Sequence, residues 1–179
     1  VGYTNAGKST LLNRLTGASV EAEDRLFSTL DPVTRRLRLP SGTDALVTDT
    51  VGFIQKLPPT ILAAFRATLE EIEEASLILQ VVDITHPNAA AQAMVVDNVL
   101  ADLEVAYKPR ILVLNKTDLI VGDCDFRWTG VSQTGVPSDI PSVFTSASTG
   151  EGLDDLLAEI DRVLSEQDTF SNPDAIVSR

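Results

Sequence analysis

Gly2 is followed by four residues and then by Gly7-Lys8-Ser9, the G-x-x-x-x-G-K-[ST] spacing of a loop that wraps a polyphosphate. Small residues let such a backbone turn successive N–H groups inward. Gly2, Tyr3, Thr4, Asn5, Ala6, Gly7, Lys8, Ser9 and Thr10 therefore form a candidate phosphate cradle. In it Lys8 is a cation for the β- and γ-phosphate oxygens and the Ser9 hydroxyl is a ligand for Mg²⁺. The helix that follows adds its positive end. A second signal is Asp49-Thr50-Val51-Gly52, an acidic residue at the carboxyl end of a strand followed by a glycine whose N–H can approach a γ-phosphate. Asp49 there would hold Mg²⁺ through a water. A third is Asn115-Lys116-Thr117-Asp118, which suits guanine. The Asp118 carboxylate can accept from N1–H and the 2-amino group together, and adenine would leave it unpaired, a mismatch that such sites commonly reject by ~10⁴. The Lys116 stem can lie along the base, Asn115 can tie this loop to the phosphate loop, and the Ala147 N–H, between Ser146 and Ser148, can donate to guanine O6.

These loops need strands to present them and helices to cover the strands. A phosphate loop of this type follows a buried parallel strand. Only Val1 of it is in the sequence, so the first strand reads as truncated and its loss as destabilising. Lys8 to Thr16, with Leu11, Leu12 and Leu15 on one side and Gly17 after it, predicts the first helix. Ala18 to Val33 has no period, and Pro32 disfavours a helical Asp31, which predicts a mobile loop. Thr34 to Leu39 and Ala45 to Thr48 alternate around Ser41-Gly42-Thr43-Asp44 as a hairpin. Pro58 and Pro59 precede a helix from Thr60 to about Ala75, with Glu70, Glu71, Glu73 and Glu74 as its wet face.

Leu77 to Asp83 and Arg110 to Leu114 are apolar runs of the kind buried parallel strands require. Between them a helix to about Ala106 is expected to pack through Ala91, Val95, Val99 and Leu103. Leu119 to Pro141 reads mostly as loop and Val143 to Thr145 as the last strand. Glu151 to about Glu166 reads as a final helix with Leu153, Leu156, Leu157, Ile160 and Val163 inward. The expected fold is α/β: a three-layer α/β/α P-loop sandwich whose sheet is mostly parallel with one antiparallel strand. The expected domain spans residues 1–166, with a flexible tail over 167–179.

At 179 residues the chain can bury roughly 70% of its unfolded surface as one domain. Its net charge of −12, from 14 Lys and Arg against 26 Asp and Glu, argues against a direct grip on nucleic acid by this domain alone. Arg36 and Arg38 alternate with Leu37 and Leu39, which at strand period puts the arginines on a solvated face. A lone Cys124 cannot form an internal bridge, and there is no long apolar run for a membrane, so a soluble protein of the cytoplasm is expected; a monomer is expected separately. His86, the single histidine, has no cysteine or second histidine nearby and reads as a turn residue.

With these motifs in place the chain resembles the GTP-binding domain of the HflX ribosome-associated GTPases, in the Obg and HflX branch of the P-loop GTPases. The matching stretches are residues 2–10, Leu26-Phe27-Ser28-Thr29-Leu30-Asp31-Pro32, Asp49-Thr50-Val51-Gly52-Phe53-Ile54 with Lys56-Leu57-Pro58, Asn115 to Asp118, and Ser146-Ala147 with Thr149-Gly150-Glu151-Gly152-Leu153. The resemblance implies GTP and GDP as ligands, Mg²⁺ as cofactor and the large ribosomal subunit as partner through the full-length protein. It implies that Thr29, with Thr34 as the weaker candidate, reaches Mg²⁺ and the γ-phosphate, with Phe27, Ser28, Leu30 and Asp31 beside the nucleotide. Lys8, Thr29 and Gly52 would then form the hydrolytic centre. Release of phosphate would relax residues 22–34 and 50–59. Asn5 stands where related cation-activated GTPases help bind K⁺. Phe53 replaces the water-orienting Gln of many GTPases, which implies intrinsic hydrolysis on the order of 10⁻⁴ to 10⁻³ per second or below. Ser148 stands where many have Lys.

Overall fold

The structure, a computed structural model, describes residues 1–17, 33–50, 52, 71–120 and 140–171, with side chains through Gln167. The expected loop over 18–32, the start of the helix near 60 and the loop over 121–139 lie outside the described residues. Helix α1 spans Lys8–Leu15. Strands β1 (Val33–Arg38) and β2 (Asp44–Asp49) form the expected antiparallel hairpin. Then come β3 (Ile78–Asp83), α2 (Ala89–Asp102), β4 (Arg110–Asn115), β5 (Ser142–Phe144) and α3 (Leu153–Ser171).

The β3, β4 and β5 strands pair in parallel, and Gly2 adds a parallel bridge to Val81 on the other edge of β3. The middle of β4, Ile111-Leu112-Val113-Leu114, is apolar throughout because both faces of this central strand are covered. Strand period then sorts its residues. Ile111 and Val113, with Val81 of β3, pack against Leu11 of α1 and Leu156 and Ile160 of α3. Leu112 and Leu114 point the other way, onto Ala89 and Ala93 of α2. This alternation is the three-layer α/β/α arrangement in side-chain terms. The hairpin joins the α1 and α3 side through Leu37 and Leu39, while Arg36 and Arg38 are exposed as their register demands.

The structure corrects three sequence expectations. In α2 the buried face is Ala89, Ala93, Val96 and Leu100. The expected Ala91 is exposed, and Val95, Val99 and Leu103 are only partly covered. Residues 89–96 are apolar almost all round, so several faces share the helical period. Contact with Ile78 and Val82 of the sheet decides between them. The final helix continues to Ser171, so residues 167–171 are helical instead of part of a loose tail. Leu164 packs on the core, and Gln167 Nε2 donates to Ser76 O at 3.2 Å, which fastens the extra turn. The last strand starts one residue early, at Ser142, because its ladder to Leu112–Leu114 sets its length.

Residues 71–74 are helical, and the Lys108 ammonium donates to Glu73 O and Ala75 O at 2.6 Å each, closing that helix end near the expected Ala75. Beneath α2, Arg110 donates to both Gln80 Oε1 and Asp97, which satisfies a glutamine with no exposed surface. If the face of α2 is as described, Leu100→Ala lowers the unfolding free energy by about 2–5 kcal/mol. Met94→Ala, on the open side, changes it by no more than about 0.5 kcal/mol. Denaturant titration of the two variants checks this.

Candidate nucleotide-binding site

The phosphate loop leaves the sheet at Gly2 and turns through Thr4 and Asn5 into α1. Gly7 is the N-cap of α1 and adopts a left-handed conformation (φ 96°) with no side-chain cap. A glycine cap puts no side chain over the helix start, whose positive end favours an anion. A Cβ on Gly7 would sit 2.3 Å from Asn115 Nδ2, so glycine is required for packing as well as for φ. Lys8 is partly buried and folds back to donate to Tyr3 O at 3.2 Å. Burial pushes its ammonium from 10.5 down to about 8, with the Asp49 carboxylate opposing the fall.

Asp49, at the end of β2, is 5% exposed, and the Ser9 hydroxyl donates to its Oδ2 at 2.6 Å. The hydroxyl and the carboxylate form a pair of hard oxygen donors beside Lys8. Gly52 closes over the same corner: a Cβ there would lie 2.9 Å from Thr4 Cα and 3.1 Å from Lys8 Nζ. Thr50 is buried. Asn5 is exposed with φ 61°. Phe27, Ser28, Thr29, Leu30, Asp31, Val51 and Phe53 lie outside the described residues.

Asn115, 1% exposed at the end of β4, joins the two halves of the site. Its Nδ2 donates to Ala6 O at 2.9 Å, and its Oδ1 accepts from Ala147 N at 3.0 Å and from Thr145 Oγ1 at 3.4 Å. The expected tie between loops is therefore present. The Ala147 amide, expected to face a base, is held by Asn115 in this structure. Asp118 is exposed, and Ser146 Oγ donates to its Oδ1 at 2.6 Å while accepting from Thr149 N at 3.1 Å. Ser148 is exposed. His86 Nδ1 accepts from Asn88 N at 3.0 Å, the turn role expected of it.

One residue absent from the sequence-based site is Asp83, the last residue of β3. Its Oδ2 lies 2.7 Å from Lys116 Nζ, and Thr85 donates to Oδ1 through both N (3.0 Å) and Oγ1 (2.6 Å). Burial works to raise the Asp83 carboxyl, but the hydrogen bonds from Lys116 and Thr85 outweigh it and hold the group below its ordinary range. The available signal was position: Asp83 ends an apolar run at a strand carboxyl end, as Asn115 does.

A phosphate cradle, a hydroxyl–carboxylate pair that uses the end of β2, and an Asn-Lys-x-Asp loop at the carboxyl end of the β3–β4–β5 sheet define a P-loop GTPase domain. Residues 1–116 match the family model described as 50S ribosome-binding GTPase. GTPase HflX of Caldanaerobacter subterraneus subsp. tengcongensis is 49% identical over 164 residues, which cover 92% of this chain and 36% of that protein. GTPase HflX of Alkalihalophilus pseudofirmus is 57% identical over 118 residues, covering 66% of this chain and 28% of its own length. Among solved structures, a GTP-binding protein from Sulfolobus solfataricus in complex with GDP superposes with a TM-score of 0.75 at 28% identity, over 93% of this chain and 51% of that one. The chain belongs to this GTPase family, on its HflX branch, and spans about 36% of the first of these relatives.

The Lys8 geometry makes a pH prediction. Its folded value of about 8 lies below the 10.5 of an unfolded lysine, so between them the unfolded chain binds more protons and stability rises with pH. Unfolding free energies of nucleotide-free protein should rise across that window, and Lys8→Met should remove most of the slope. An unchanged slope in Lys8→Met would contradict the assignment.

Proposed function

We propose that the domain binds GTP and hydrolyses it to GDP and phosphate, as the switch of a ribosome-associated HflX-type GTPase. The observation that carries the reading is Asn115, whose carboxamide fastens the phosphate loop to the Ala147 loop and so makes one site for one nucleotide. Amides of residues 4–9 and Lys8 hold the phosphates, and the uncapped start of α1 faces the same anion. Asp118, oriented by Ser146, accepts from the guanine edge. Ala147 N–H, held by Asn115, is then shared with guanine O6.

The oxygen-only donors Ser9 and Asp49, the latter through water, suit Mg²⁺, with Thr29 as a further ligand by family resemblance. When bound, Mg²⁺ neutralises charge on the β- and γ-phosphates. Lys8 and the loop amides stabilise the charge that develops on the transferring phosphoryl group, and Gly52 lies at the same corner, against Thr4 and Lys8. Phe53 can neither donate to nor accept from the attacking water, so intrinsic turnover is slow and the large ribosomal subunit supplies the missing organisation. No helix among the described residues is long and apolar enough to cross a membrane.

Phe53 also motivates a second reading, a GTP-dependent binding module with negligible hydrolysis. Single-turnover hydrolysis with and without large ribosomal subunits separates the two: acceleration is expected, and its absence favours the module. Labelled GTP should be displaced by GTP and GDP but not by ATP at comparable concentration, and equal displacement by ATP would refute the guanine assignment. Asn5, exposed on the phosphate loop, supports a K⁺ contribution, for which faster hydrolysis in KCl than in NaCl is expected; equal rates would remove it.

A further inference from the structure

Lys116 is placed to lie along a base, yet a lysine stem has four rotatable bonds and is a poor platform unless something fixes its end. The structure supplies that fixture. Asp83 and Asn115 are paired in the β3–β4 register, so the carboxylate stands at the strand end next to the base-reading loop. The backbone continues the link, since Ile84 N donates to Asn115 O at 3.2 Å. Asp83 uses one oxygen for the Lys116 ammonium at 2.7 Å and the other for Thr85, which leaves the carboxylate little rotational freedom. The side chains are only 14% and 29% exposed, unlike a solvated surface pair. Lys116 itself has a left-handed backbone (φ 73°), a conformation lysine adopts only where its surroundings impose it.

We propose that Asp83 is a positioning residue for base recognition: by holding the Lys116 ammonium it fixes the aliphatic stem across the base face before the nucleotide arrives. The gain is preorganisation, because ordering that would otherwise accompany binding is complete in the free protein. The inference rests on the guanine-nucleotide reading above and adds a residue that neither the phosphate loop nor the Asn-Lys-x-Asp motif contains.

The test is a double-mutant cycle in the full-length protein, read as the Kd of a fluorescent GDP. Asp83→Asn, isosteric and uncharged, should weaken binding about fivefold. In a Lys116→Met background, which keeps the stem and removes the ammonium, the same change should add nothing. The same fivefold loss in both backgrounds would overturn the proposal, since a merely structural Asp83 acts without Lys116. Should Asp83→Asn not fold, Thr85→Val at an exposed position removes one of the carboxylate's restraints. It should weaken GDP about twofold, with no effect beside Lys116→Met, and an equal effect in both would again overturn it. Wild-type protein that fails to prefer GDP over ADP would sink the nucleotide reading itself. A GDP-selective wild type with an additive cycle would sink only the role given to Asp83.

Discussion

A single buried carboxamide sets the geometry on which the rest of the site depends. Asn115 offers one donor group to the phosphate loop and one acceptor to the loop after β5, and both are used. With 1% of its surface exposed, neither end has water as an alternative partner. Loss of either contact would leave a buried polar group unpaired, at a cost of about 1–3 kcal/mol, so the two loops are held at a fixed separation. The surrounding sequence follows from this constraint. Gly7 must lack a Cβ because the Asn115 amide occupies that space, and β4 must be apolar on both faces to bring Asn115 into the interior.

Charge is arranged locally against the balance of the whole chain. A protein of net charge −12 repels polyanions at long range, but the phosphate corner presents amides, a desolvated Lys8 and an uncapped helix start. These groups are unfavourable without an anion, and an anion relieves them together. On the base side Asp118 and Asp83 are acidic, and each is given a specific donor, Ser146 for one and Lys116 with Thr85 for the other. Each end of the site thus sets a cation beside a carboxylate, Lys8 with Asp49 at the phosphate corner and Lys116 with Asp83 on the base side, and Asp118 is left to meet a donor edge.

Much of this was legible from residue types and spacing. The glycine and lysine spacing of the phosphate loop, the alternation of the hairpin and the apolar runs of β3 and β4 each reflect one dominant local constraint, and the structure has them where the pattern puts them. What was not legible depended on tertiary choice. Helix α2 is apolar on too many sides for its period to choose an inward face, and the sheet makes that choice. The end of α3 depends on a hydrogen bond to Ser76, 91 residues away in sequence. Asp83 carries no motif of its own, and its meaning comes from parallel pairing with Asn115.

The most direct test of the central claim is the GDP affinity of Asn115→Ala measured beside its melting temperature. If Asn115 is the strut between the phosphate and base loops, affinity should fall at least about tenfold, about 1.4 kcal/mol and the worth of roughly one buried hydrogen bond, while the protein still unfolds cooperatively. Wild-type affinity in a folded Asn115→Ala protein would mean that the two loops find the nucleotide without it, and would contradict the account.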